Sequence, residues 1–194
     1  MKRVSQIGKT VRFAFACASM ALGLTLNALP TQADPLGLND YPALFDAYPD
    51  RIVLNANGSE TLTLPDGVKV IRMKGRYVGF DPKGAVGCPV QAFIAIEAYG
   101  ERCPDLMSEK QAVRFEANKA TLIAFYAQNA YPAVSRKQVR ERYDEMVALS
   151  AKQEFSCDDP SPDVVHKALT GLLDARALAK ILAIPRLPVS DPCL

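Results

Sequence analysis

The stretch Ser108–Phe155, SEKQAVRFEANKATLIAFYAQNAYPAVSRKQVRERYDEMVALSAKQEF, decides the fold. Ser108-Glu109-Lys110-Gln111 has the capping-box pattern. In it the serine hydroxyl takes an orphan backbone N–H and the glutamine reaches back to the cap. From Ala112 to Ala130 neither Gly nor Pro interrupts the chain. At the helical step Ala112, Phe115, Leu122, Ile123, Tyr126 and Ala127 share a broad face. Arg114, Asn118, Thr121, Gln128 and Asn129 fall opposite, and Phe125 lies on that polar side. Pro132 ends the run, because it has no N–H to donate and disfavours helix at the residue before it.

Ser135-Arg136-Lys137-Gln138 repeats the capping pattern. Behind it Val139, Tyr143, Met146, Val147 and Ser150 form a narrower stripe, flanked by Lys137–Glu141 and Arg140–Asp144 at i,i+4. The link Tyr131–Val134 is short, so the two helices are antiparallel neighbours.

A cysteine stands outside each open end of this hairpin, Cys103 and Cys157. Cys88 and Cys193 also belong to the mature chain, while Cys17 lies in the apolar centre of the first 33 residues. Those residues have the layout of a secretory leader. Lys2, Arg3, Lys9 and Arg12 precede an apolar run, Phe13 to Leu29, and Thr31-Gln32-Ala33 supplies small residues for cleavage. Asn27 and Pro30 break the run, which argues against a membrane anchor. Removing this segment also removes four basic residues, leaving 19 basic against 21 acidic and a net charge of −2. The basic character of the full chain thus belongs to the leader, and nucleic acid is not an expected partner.

Four cysteines in an exported chain imply two disulfides, with three possible pairings. A helix over Pro89–Tyr99 rises about 16 Å at 1.5 Å per residue. The few residues before Cys103 barely cover that distance back, and bridged Cα atoms must lie within about 7 Å. Cys88–Cys103 is therefore disfavoured. The hairpin brings its own ends together, which favours Cys103–Cys157 and leaves Cys88–Cys193.

The rest of the chain frames this hairpin. Residues 34–50 are Pro-punctuated and expected to be flexible, with at most one helical turn near Ala43–Tyr48. Ile52–Leu54, Glu60–Leu64, Val68–Met73 and Tyr77–Phe80 read as short strands, the middle pair joined by the turn Pro65-Asp66-Gly67. A meander this small must pack on helices. Pro89 opens a helix that Gly100 should stop. A last helix is expected from Pro162 to Ala183 after the linker Asp158–Pro162, followed by a Pro-rich tail pinned by Cys193. The fold class is mainly α with a small antiparallel β meander: a helical hairpin braced by two disulfides. The layout is a leader over 1–33, a flexible segment over 34–50 and one exported domain over 51–194. Within that domain the meander spans 51–80, the helices 89–183 and the tail 184–194.

The chemistry of the chain is sparse. His166 is the only histidine. HExxH, CxxC and paired histidines are all missing, so no metal or cofactor is expected. Without GxSxG a serine hydrolase would need His166 as its base. Glu97 and Glu101, at i,i+4, are the carboxylates a small hydrolase could use. Glu116 projects onto the apolar face of the first hairpin helix with Lys119 at its edge, and is a candidate buried carboxylate. Two basic groups are candidate anion sites. Arg72, Lys74 and Arg76 alternate as if on one strand face; Arg136, Lys137 and Arg140 open a helix, where cations oppose the macrodipole.

The function expected is that of a non-catalytic exported, periplasmic protein that binds another macromolecule of the cell envelope, such as an inhibitor, immunity or accessory protein. Its partner would be an envelope protein or an anionic envelope component. The alternatives are a small periplasmic hydrolase and a carrier of a small apolar ligand among Phe115, Phe125, Tyr126 and Tyr143. A binding module should show an exposed apolar patch, for which Phe125 is the candidate.

Overall fold

The computed structural model describes residues 33–103, 106–153, 156–157 and 162–193. Six helices and a four-stranded antiparallel sheet follow one another in the order α1 (Tyr41–Ala47), β1 (Ile52–Leu54), β2 (Glu60–Thr63), β3 (Lys69–Met73), β4 (Arg76–Phe80), α2 (Gly87–Arg102), α3 (Glu109–Asn129), α4 (Arg136–Ala151), α5 (Pro162–Leu172) and α6 (Ala175–Ile181). The class is α+β, as the sequence implies. Apart from Ala33, the expected leader lies outside the described residues, as does the expected linker after Cys157 except for Pro162.

The hairpin forms as read. Ser108 and Ser135 each close a full capping box, with Gln111 and Gln138 returning to the cap N–H groups. Both disulfides take the expected pairing, with Cα separations of 5.4 Å for Cys88–Cys193 and 5.7 Å for Cys103–Cys157. The hub of the helical layer is α2, which packs against both α4 and α5. Val90, Phe93, Ile94, Ile96 and Ala98 are buried along it, the pattern of a helix covered on several sides. It runs through Gly100 to Arg102, since a glycine only weakens a helix that tertiary contacts support.

Four expectations need correction. Residues 34–50 are a built part of the core. The Asp34 carboxylate accepts the N–H groups of Leu36 (2.9 Å), Gly37 (2.5 Å), Leu38 (3.4 Å) and Asn39 (3.0 Å), along with the Tyr126 hydroxyl. Asp40 caps α1, whose Tyr41, Leu44 and Phe45 are buried. The expected last helix is two. Asp174 caps α6 by accepting from the N–H groups of Arg176 and Ala177, and a side chain that satisfies two orphan donors starts a new helix. Asn118 and Phe125 are buried despite lying opposite the main apolar face of α3. That helix is covered on a second side, where the Asn118 amide donates to the Leu172 carbonyl at 2.7 Å. Finally, Ala33 is buried and its carbonyl accepts the Ser190 N–H at 3.0 Å, so a cut after Ala33 removes a core contact.

Strand order is β1-β2-β3-β4. The Leu64–Val68 turn closes through Gly67 at φ +94°, a value open to glycine and strained for other residues. On the inner face, the row Ile52–Leu62–Val70–Gly79 packs with Leu44, Phe45, Leu187 and Val189 in a second core. Gly79 is obligatory, because a Cβ there would lie 2.4 Å from Val189 Cγ1. The tail continues along β4, with Phe80 bridged to Asp191, and Cys88–Cys193 holds it in place. Beneath it Arg186 and Asp81 form an ion pair only 2% and 1% exposed. The remaining guanidinium donors reach the carbonyls of Ile181, Ile184 and Gly84.

Candidate functional site

The carboxylate proposed for burial proves to be exposed, and its lysine is the buried partner. Glu116 is 57% exposed, whereas the Lys119 side chain is 8% exposed. Lys119 Nζ donates to Glu97 Oε1 and Oε2 at 3.0 Å each, and reaches Glu116 at 2.7 Å. It also lies 5.5 Å from the Tyr143 ring and 5.9 Å from the Phe115 ring. The helical wheel placed Glu116 and Lys119 on neighbouring positions. It did not show that Glu97 of α2 comes across to draw the ammonium inward. Burial alone pulls the Lys119 pKa down; hydrogen bonds to Glu116 and Glu97 outweigh it, and the net shift is upward. The Tyr143 hydroxyl donates to Glu97 Oε2 at 2.7 Å. Burial and the Glu97 charge push that hydroxyl well above the usual tyrosine range.

This cluster ties α2, α3 and α4 together and occupies Glu97. Glu101 is exposed, as is His166 on α5. Cys88, Cys103, Cys157 and Cys193 are all in disulfides, so none is a thiol nucleophile. The aromatic residues suggested as ligand contacts are buried core side chains. The cavity beside Lys119 and Tyr143 measures about 10 Å³, room for no more than a water. An open groove of about 250 Å³ lies among Leu44, Tyr48, Asp66, Tyr131 and Leu187. Its carboxylate is already engaged, accepting from Val68 N–H at 2.9 Å and Leu187 N–H at 3.2 Å. No group of acidic, histidine or cysteine side chains suited to a metal occurs among the described residues.

The first basic group is dispersed. β3 ends at Met73, and Lys74-Gly75 is the hairpin turn, with both residues at positive φ. Arg72 faces inward opposite Tyr77, bonds Glu60 at 2.6 Å and stacks on Phe45 at 4.5 Å. That bond draws the Glu60 pKa down and raises that of Arg72. Arg76, paired with Met73, points to the opposite face. The alternation rule fails because the two-residue turn resets the face. The second group stays together and exposed at the start of α4. Lys137 reaches Glu141 at 3.7 Å, with both side chains largely in water, a pair of little energetic weight. No ion pair closes between Arg140 and Asp144.

What the sequence reading missed is the outer face of the sheet. Phe125 is only 9% exposed and forms no patch. Of the eight most exposed large apolar side chains among the described residues, three lie on this face: Val53 (60%), Met73 (48%) and Val78 (41%), while Leu54 (72%) belongs to the opposite row with Glu60, Arg72 and Tyr77. The ladder places Val53, Thr61, Ile71 and Val78 in one row across all four strands. Lys69 and Phe80 lie beside it in the next row, and Met73 and Arg76 flank its other side. The cations Lys69, Lys74 and Arg76 are exposed around this row. None of the strand residues facing outward is acidic. The signal in the sequence was the strand alternation of Lys69, Ile71 and Met73, which only the register could join to Val53 and Val78.

The chain matches no protein-family model, and no curated protein or solved structure shows significant similarity to it. No helix among the described residues is long and apolar enough to cross a membrane.

Proposed function

We propose that the protein is a non-catalytic, exported binding module of the cell envelope, and that the outer face of its sheet is where it meets a protein partner. The observation that carries this is the row Val53–Thr61–Ile71–Val78, with both valines exposed and Ile71 half-buried between them, while the inner face and the β4 edge are covered. An apolar centre rimmed by polar and charged groups is the anatomy of an interaction surface. Export rests on the leader pattern of residues 1–33 and on two disulfides, which persist in oxidising compartments.

The test is affinity capture from an envelope extract with oxidised protein. Val53→Asp/Val78→Asp should abolish recovery of a specific partner. Val113→Asp, which alters an equally exposed valine on α3, should leave it intact. Equal recovery by both variants would refute the assignment of this face. Turnover of a cell-wall or ester substrate by the pure protein would refute the non-catalytic reading.

A further inference from the structure

Resting on that reading, we infer that the partner docks on the outward side of the β3–β4 hairpin through an acidic protein surface with an apolar centre. The cations of this face lie on the hairpin itself. Three cross-strand pairs follow one another along it: Lys69–Phe80, Ile71–Val78 and Met73–Arg76. Lys69 and Arg76 therefore take diagonal corners, Phe80 and Met73 the other two, and Ile71 and Val78 lie between them. Lys74 sits in the turn beyond Met73. At about 3.4 Å per residue, the Lys69 pair and the Arg76 pair stand about 13 Å apart along the strands.

Lys69, Lys74 and Arg76 are exposed, and none closes an ion pair among the described residues. Arg72, which β3 turns to the inner face, is instead held by Glu60 at 2.6 Å. Residues 34–194 hold 21 acidic against 19 basic residues, yet the outward strand positions carry three uncompensated cations with their turn and no acid. Asp191 borders the face beyond Phe80, two strand spacings or about 10 Å from Lys69, and makes no ion pair with it. Such segregation of charge selects an anionic occupant.

The apolar centre then chooses among anions. A phosphate polymer would meet the cations and leave Met73 and Val78 against a polar chain. A lipid surface is held by long apolar side chains that enter the acyl boundary. Valine and isoleucine are short, and Phe80, the aromatic residue among the outward strand positions, is half-buried. A second copy of the chain stacked face to face would set Lys69, Lys74 and Arg76 against themselves, with no outward carboxylate to relieve them. A protein face with carboxylates flanking apolar side chains meets both features, the usual anatomy of an interface core and rim.

The probe is a helical peptide of about sixteen residues, about 24 Å long and so able to overreach both corners, with a leucine face flanked by glutamates. Its counterpart carries lysines. Each is titrated into the oxidised full-length protein and followed by NMR. The glutamate peptide should shift the amides of Lys69–Phe80, and the lysine peptide should not. Lys69→Glu/Arg76→Glu should weaken the glutamate peptide at least about tenfold and admit the lysine peptide. Arg136→Glu/Arg140→Glu, at the other basic group, should change neither. Circular dichroism and melting check each fold, and Lys69→Gln/Arg76→Gln replaces the reversal if that variant melts early. No shift at millimolar glutamate peptide, equal binding of both peptides, or a loss at Arg136 and Arg140 in place of Lys69 and Arg76 would overturn the inference. So would dimerisation through this face in sedimentation, or binding of phosphatidylglycerol vesicles or polyphosphate where the glutamate peptide does not bind. If partner capture is lost in Val53→Asp/Val78→Asp but survives Lys69→Glu/Arg76→Glu, the binding face stands and its acidic partner does not.

Discussion

Lys119→Met isolates the charge at the centre of the helical layer. Methionine keeps most of the apolar stem and removes the ammonium. Glu97 is then left with the Tyr143 hydroxyl as its one remaining partner, at 27% exposure. Breaking a fully buried pair costs about 3–5 kcal/mol, and an exposed one contributes about 0.2–1. Glu97 keeps some water, so the expected loss is about 2–3 kcal/mol. In a domain of this size that lowers Tm by about 5–10 °C. Glu97→Gln added to Lys119→Met removes the stranded charge and should recover about 1–2 kcal/mol. Glu116→Gln, at an exposed site, should change stability by less than about 0.5 kcal/mol. Equilibrium denaturation in guanidinium with both disulfides intact measures all three variants. A loss within about 0.5 kcal/mol for Lys119→Met, or a Glu116→Gln effect as large as that of Lys119→Met, would refute the reassignment of burial from Glu116 to Lys119.

Other consequences follow from the same contacts. Arg186→Met should destabilise by about 3–5 kcal/mol in the same assay, since it strands Asp81 at 1% exposure and orphans the carbonyls of Ile181, Ile184 and Gly84. Raised tyrosine pKa values make stability fall in alkali. An unfolded tyrosine loses its proton near pH 10 while folded Tyr143 keeps it, so stability present below pH 10 is lost above it, by up to about 1.4 kcal/mol per pH unit for each group. Tyr143→Phe should flatten that decline in urea titrations from pH 9 to 12, leaving the shares of Tyr126 and Tyr41. Ser108→Ala and Ser135→Ala should each cost about 1 kcal/mol, because each removes the oxygen that closes a capping box.

What could be read from the sequence was local or set by chain reach. The capping boxes, the Pro65-Asp66-Gly67 turn and the stop at Pro132 depend on neighbours a few residues away, and they formed as written. The disulfide pairing followed from helix rise. What could not be read depends on partners distant in sequence. Asp34 is ordered because Tyr126 and four backbone amides converge on it, and nothing in the stretch DPLGLND announces that. Asn118 and Phe125 look polar-faced until the second covering of α3 is known. Arg186 and Asp81 meet across 105 residues. The candidate site was hidden for the same reason, since Val53 and Val78 share a row only through the register of the two strands between them.

The Cys88–Cys193 bond ties the tail to α2, and that tie lays the tail along β4 while the opposite edge and the outer face stay free. Peptide mapping of unreduced protein recovered from its own cells tests this most directly. The fold requires cross-linked peptides joining Cys88 to Cys193 and Cys103 to Cys157. A Cys88–Cys103 link, or four free thiols with residues 1–33 still attached, would contradict it.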